Sequence, residues 1–346
     1  MRLASVVACL AAAIGCTRTG PPQQCPSLAR PSARSQVSAV LVPADNQIYV
    51  FGGQGAQLPR DDLWRYSFGS CGGWTQLLPT SMPGPRANYA AAFDSKRSRI
   101  VYIGDGSRNN DVWALDTNLL QFKQLQPGGT PPLVAAAEVA AYDDMHDRVI
   151  YAGVESYALD FSKNDDGVWS VIDGTTVMAP ASATVDPSRS LMLVLDSGGL
   201  HGFSFLTGTW RDLTGATPAA GAVILWDPIG RELLAVGDEV SRGALDANGT
   251  AVTFTPLPTT NPPPPRSSFA AALSGTVLWL SGGVTASGCT LDDLWTLELG
   301  TGAWTNVWPA TTCQGLPRTG GPSQAERGAA AARNDEGAGR WPATEE

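Results

Sequence analysis

One phrase, written twice about 230 residues apart, most constrains what this chain can fold into. "FGGQGAQLPRDDLWRY" begins at Phe51, and "LSGGVTASGCTLDDLWTLEL" begins at Leu280. A phrase that recurs marks a repeated structural unit. Weaker copies between the two keep the same order. Each opens with a short small-residue segment, as in "RANYAAAFD" from Arg86, "EVAAYDD" from Glu138 and "RSSFAAALSG" from Arg266. A turn, usually with Asp and a basic residue, leads to an apolar run such as "RIVYIGD", "RVIYAGV" or "SLMLVLD". An alternating third segment follows. The fourth carries an aromatic: Trp74, Phe122, Trp169, Trp210, Phe254 and Trp304 in turn. Runs of β-branched and aromatic residues bounded by Gly and Asp read as strands. The fourth-segment aromatics lie 41 to 50 residues apart, which gives six units of four strands each.

That period with four strands per unit predicts an all-β, six-bladed β-propeller with four-stranded antiparallel blades. A lone four-stranded sheet cannot bury both faces, whereas sheets stacked around an axis cover each other and leave only short edges. The Ala-rich first strand suits the crowded axis, and the fourth-strand aromatic suits the wide outer rim. Abundant Gly (38) and Pro (26) with only 16% charged residues agree with a turn-rich all-β chain. The Gly-Gly, polar loop, Asp-Leu-Trp and later Trp of the first and last units resemble the kelch repeat, within the galactose-oxidase central-domain-like superfamily. The resemblance covers about residues 35–315 and is weakest in the third to fifth units, which lack the double glycine. A seventh blade would need the small-residue segment near the end, "PSQAERGAAAARNDEGAGR", whose low apolar content reads instead as a disordered tail over 317–346. Closing the ring would set the two matching phrases side by side.

The N-terminus reads as an export signal. "MRLASVVACLAAAIGC" has one positive charge and then an apolar run too short to span a bilayer. Its end, Ala13-Ile14-Gly15-Cys16, resembles a bacterial lipobox, with Ala13 where Leu is usual. The resemblance implies lipidation at Cys16 of a segment 1–16, with Thr17 directing the protein to the outer membrane; without lipidation it would be secreted. Residues 17–34 are rich in Pro, Ser and Arg and read as a flexible tether to a propeller over 35–316. Four cysteines remain: Cys25, Cys71, Cys289 and Cys313. An even count in an oxidising compartment suggests two disulfides, with three pairings open. Loop geometry favours Cys289 with Cys313, and exclusion leaves Cys25 with Cys71.

In an up-and-down blade the second-to-third loops share a face with the inter-blade loops. The long ones fall in units six, one and two, which are neighbours in a closed ring. They form a polar crest with Gln57, Arg60, Arg108, Asn109 and Thr285 as binding candidates. Asp61, Asp62, Asn110, Asp111, Asp292 and Asp293 recur at one repeat position on separate blades. They read as turn-capping groups rather than a metal site, which needs converging oxygens. No cofactor is expected. Copper-radical oxidases of the galactose-oxidase kind need two His, two Tyr and a Cys near the axis. This chain has only His146 and His201, placed on different blades, so zinc or Ser/His/Asp chemistry is equally short of histidine. A net charge of −9 without any Lys/Arg run argues against a nucleic-acid partner. The reading is a monomeric, non-enzymatic binding module of the cell envelope for a protein or glycan, touching the membrane only through its lipid. The alternatives are a His-independent sugar isomerase or lyase and a structural envelope protein.

Overall fold

The apolar and alternating runs form strands in the order the pattern predicts. The structure, a computed structural model, describes residues 29–68, 72–105, 110–132, 138–172, 177, 180–219, 221–311 and 314–315. Blade 1 consists of Ala39–Val42, Gln47–Phe51, Leu63–Ser67 and Gly73–Leu77, hydrogen-bonded in sequence order. Blades 2 to 6 repeat this over 90–125, 139–172, 182–212, 223–256 and 270–308. All four main strands of each blade pair antiparallel with their neighbours. The described residues form six blades and no helix.

The second strands are apolar along their length because both of their faces meet other blades. Arg99–Ile103 and Leu191–Leu195 are buried at every residue. Apolar burial therefore occurs in layers between adjacent blades. Ile100 and Tyr102 of blade 2 pack with Tyr49 and Phe51 of blade 1, and Val101 and Ile103 with Val149 and Tyr151 of blade 3. The last layer closes the ring: Trp279 and Ala270 of blade 6 pack on Trp74, Tyr66 and Ile48 of blade 1. The Trp74 and Trp279 rings meet edge-on with centroids 5.6 Å apart.

At the face opposite the crest, the turn between first and second strands holds a buried carboxylate in blades 2 to 5. Asp94, Asp143, Asp186 and Asp227 accept hydrogen bonds from the backbone of their own turns. A basic side chain balances each: Arg99 at 2.8 Å, Arg148 at 2.9 Å, Arg189 at 2.6 Å and Arg242 at 4.0 Å. A buried carboxylate would be costly without such a partner. Between blades 2 and 3, Arg97 reaches across to Asp147 with both terminal nitrogens, at 2.7 and 3.0 Å.

Two features depart from the sequence reading. Blades 3 and 5 gain a fifth, two-residue strand, Gly128–Gly129 and Thr214–Gly215, each paired parallel with the outer strand of that same blade. These residues carry no strand signal. Glycine is required there because a Cβ on Gly129 would sit 2.3 Å from the Trp169 carbonyl oxygen. Residues 30–34 belong to the propeller rather than to a tether, since Ala33 and Arg34 are buried. No seventh blade forms among the described residues.

Among the described residues every blade is one contiguous stretch of chain, and no exchanged strand ties the first blade to the last. Besides the aromatic layer, Asp292 gathers the two chain ends. Its carboxylate accepts from the Thr311 backbone N–H at 2.9 Å and hydroxyl at 2.5 Å, and pairs with Arg30 at 3.5 Å. Arg30 also donates to the Pro309 carbonyl at 2.8 Å. Asp292→Ala is expected to destabilise the fold by about 1–3 kcal/mol, with an energy not additive with Arg30→Ala in a urea-denaturation cycle. Additive effects would mean that Arg30 and Asp292 do not act together in joining the chain ends. A second expectation concerns acid. The Arg97 hydrogen bonds, outweighing burial, pull the Asp147 carboxyl down to about 2. Its stabilisation is full above the unfolded value of about 3.9 and is lost as pH falls through the folded value. Asp147→Asn should therefore narrow its stability gap from wild type as pH drops from about 5 to about 2.

Candidate binding face

The six first strands, alanine-rich in blades 2, 3 and 6, enclose a central cavity of about 450 Å³. Its mouth opens on the face that carries the inter-blade and second-to-third loops. Small side chains at the axis leave this space because larger ones would collide there. Gln36, Asn88 and Ser268 line the mouth from blades 1, 2 and 6. All three hold left-handed backbone, with φ of 53°, 58° and 54°, a conformation that costs an ordinary residue free energy. They are laced together: Asn88 N–H donates to the Gln36 carbonyl, and Gln36 N–H to the Ser268 carbonyl, both at 3.0 Å. Across the mouth, Glu138 lines the wall. Burial raises the Tyr151 phenol well above its usual range, and the nearby Glu138 carboxylate adds to the effect.

Behind the arc, one arrangement is repeated three times. Arg34 meets Asp62 through two bonds of 2.8 and 2.7 Å and donates to the Gly52 carbonyl at 2.8 Å. Arg86 does the same with Asp111 at 3.1 and 3.3 Å and Gly104 at 2.9 Å. Arg266 does so with Asp293 at 2.6 and 2.8 Å and Gly282 at 3.0 Å. The Trp of each "D-[LV]-W" phrase donates its indole N–H to the same carboxylate: Trp64 and Trp113 at 2.6 Å, Trp295 at 2.8 Å. These aspartates therefore serve buried ion pairs, not turn caps. Burial, the largest single effect, would raise the Asp62 carboxyl, but the bonds and charge of Arg34, with Trp64 and Arg60, together lower it.

The arginine backbones join blade to blade. Gly53 N–H donates to the Arg86 carbonyl at 2.8 Å, and Gly283 N–H to the Arg34 carbonyl at 2.9 Å. The double glycine is needed because Gly52 and Gly282 have positive φ and a Cβ on either would lie 2.6 Å from that arginine's carbonyl oxygen. Blades 6, 1 and 2 are thus consecutive and stapled at the crest.

Of the crest residues, Gln57 is exposed at a loop tip. Arg60 is half-buried, with its guanidinium 3.4 Å from the Ala33 carbonyl; burial and the neighbouring Arg34 charge lower its pKa. Thr285 holds its own turn, accepting the Cys289 N–H at 3.1 Å. Arg108 and Asn109 lie outside the described residues, as do Cys16, Cys25, Cys71 and Cys313. Cys289 is disulfide-bonded, and it begins a two-residue strand paired with Gln314–Gly315. His146 sits in a first-to-second turn beside Asp143 at 2.8 Å. His201 starts a third strand at the other end of its blade, between Asp196 at 3.0 Å and Asp212 at 2.8 Å. Among the described residues no group of three or more His, Cys, Asp or Glu is placed to hold a metal. The mouth arc was overlooked in the sequence, although a signal exists: "RSQ", "RAN" and "RSS" put a polar residue two after each stapling arginine.

Residues 21–172 match the family described as the KLHDC2/KLHL20/DRC7 Kelch-repeats domain, a span that ends with the outer strand of blade 3. Blades 1 to 3 of this six-bladed β-propeller carry the kelch-repeat match. The solved structure titled "Structure of YjhT" is similar in fold, with a TM-score of 0.60 at 12% identity over 80% of this chain and 98% of that one. A comparison with curated proteins returned no match. Blade 6 lies outside the matched span yet carries the same staple, in Arg266, Asp293 and Trp295. Replacing Asp111 by Asn should cost this propeller about 3–5 kcal/mol, because it leaves a buried guanidinium unpaired. Denaturant titration of the variant measures that loss.

Proposed function

We propose that this kelch propeller is an exported, lipid-anchored binding module that meets a protein or glycan partner with its channel-mouth face. The observation that carries the reading is the arc of Gln36, Asn88 and Ser268. Three neutral polar side chains line one cavity from three blades, on backbone held in a costly conformation. Strain of that kind persists where surrounding structure enforces it and is a pointer to function. A rigid scaffold beneath lets the arc keep its geometry without further ordering on binding, which favours affinity. Kelch-repeat domains commonly mediate protein interactions, which supports a binding role over a purely structural one. The Cys289 disulfide supports an oxidising compartment, and we assign its partner as Cys313, next to the paired strand Gln314–Gly315. Lipidation at Cys16 would hold the module at the outer membrane.

Glycine accepts positive φ without penalty, so the triple variant Gln36→Gly/Asn88→Gly/Ser268→Gly deletes the side chains while sparing the backbone. Affinity capture from envelope extract should lose its partner with this variant at near-unchanged thermal stability. Retention of the partner would sink the mouth assignment. Separately, Cys16→Ser should move the protein from the membrane fraction to the soluble one; unchanged membrane association would remove the lipid anchor from the reading.

A further inference from the structure

The outer strand of each blade is a sheet edge, and an open edge presents unpaired N–H and C=O groups. In three blades the chain that leads into the blade also covers its edge. Gly128–Gly129 lies on the outer strand of blade 3 and Thr214–Gly215 on that of blade 5, and Thr260 bridges in parallel to Ala303 of blade 6. The outer strands of blades 2 and 4 have no cover among the described residues. They carry Lys123, and Arg211 with Asp212, charges that discourage pairing. Blade 1 has neither device. Its outer strand, Gly73–Leu77, is uncharged and makes no backbone bond to a described residue outside its own sheet.

The cover of blade 6 has a counterpart in the sequence ahead of blade 1. Thr260 donates its N–H to the Gly302 carbonyl at 2.9 Å, and its own carbonyl accepts the Trp304 N–H at 3.0 Å. The lead-in that does this reads "PTTNPPPPR" from Pro258, and the covered strand reads "GAWTN" from Gly302. Blade 1 is preceded by "PSLARPSAR" from Pro26, and its outer strand reads "GGWTQ" from Gly72. Both lead-ins end on a stapling arginine, Arg34 or Arg266, and that register sets Leu28 in the place of Thr260. A Cβ on Gly302 would lie 2.3 Å from the Pro258 carbonyl oxygen, so this cover demands glycine beneath it. Blade 1 has Gly72 at that place, whereas uncovered blade 2 has Leu120. The path also fits. The Arg30 guanidinium lies over the Trp308 ring, 5.8 Å from its centre, and Trp308 packs in the same cluster as Trp74.

We propose that residues 26–28 cover the outer edge of blade 1 as a parallel fifth strand, the Leu28 N–H donating to the Gly72 carbonyl and the Trp74 N–H to the Leu28 carbonyl. The occupant of this edge is thus the chain's own segment ahead of Ala29. The pairing adds a closure at the rim to the aromatic layer between blades 6 and 1. It also shortens the tether from the proposed lipid at Cys16 to residues 17–25, which reach about 30 Å when fully extended.

The test is amide hydrogen exchange on the full chain, on Leu28→Pro and on Leu28→Ala. Leu28→Pro removes the N–H and sets a ring against the Gly72 carbonyl, whereas Leu28→Ala keeps the backbone donor. Trp304 is the covered reference and Phe122, at the same place in blade 2, the open one. The Trp74 amide is expected to exchange about tenfold or more slowly than that of Phe122. Leu28→Pro should abolish this protection, Leu28→Ala should retain it, and Trp304 should stay protected in both. A Trp74 amide as fast as that of Phe122 in the intact protein overturns the proposal. Protection that survives Leu28→Pro overturns it too: if it falls on dilution a second copy holds the edge, and if it does not another segment of this chain does. Loss of protection in Leu28→Ala overturns the backbone pairing and assigns the effect to the side chain.

Discussion

The structure depends on an arginine that works in two directions at once. In blade 1 the Arg34 side chain joins three points of its own blade: its own position ahead of the first strand, the end of the second strand at Gly52, and the start of the third at Asp62. Its backbone joins the preceding blade, with N–H to the Leu291 carbonyl and carbonyl to the Gly283 N–H. Arg86 repeats both halves against Arg60 and Gly53 of blade 1. A buried ion pair is weak evidence for stability in itself, because desolvation offsets much of the attraction. Its value here is directional. Bidentate geometry fixes the guanidinium plane, and that plane fixes where the backbone presents itself to the next blade.

The staple is not used all round the ring. Blades 3, 4 and 5 lack the paired Arg and Asp on the crest side, and their second-to-third connections shrink to a few residues. Their arginine pairs sit at the opposite face, in the turns of Asp143, Asp186 and Asp227, while on the crest side of blade 4 Asp196 meets His201. A long connection between the second and third strands is braced by the arginine pair behind it, whereas the short one in blade 4 is held by Asp196, which accepts the Gly198 and Gly199 N–H groups. Blade 2 carries both devices, with Arg86 at one end and Asp94 at the other. Loop length on one face and ion pairing behind it therefore vary together.

Much of this was legible in the sequence, for reasons that show where legibility stops. Apolar periodicity, the recurrent aromatic and the double glycine each report on a residue's own neighbourhood, so strand order, blade number and the adjacency of the first and last blades could be read. The staple could not. Arg34 and Asp62 stand 28 residues apart, and each has an ordinary local explanation, one as a tether arginine and the other as a turn carboxylate. That is also why the propeller's start was set one residue too late to include Arg34. Gly128–Gly129 and Thr214–Gly215 become strands only because an outer edge lies beside them, a tertiary fact with no local signal. Arg60 looked like a free cation on a polar loop, yet the same packing that orders the loop half-buries it.

Stapling has an electrostatic consequence for the face it braces. Every guanidinium committed to an aspartate and a carbonyl is a cation withdrawn from recognition. Arg34, Arg86 and Arg266 are all buried. The polar groups that face the cavity mouth from these three blades are consequently neutral: two carboxamides and a hydroxyl. Acidic side chains that no staple consumes, such as Asp238, then set the sign of the field at the rim. A chain of net charge −9 can in this way build on buried arginines a face that is itself neutral to acidic.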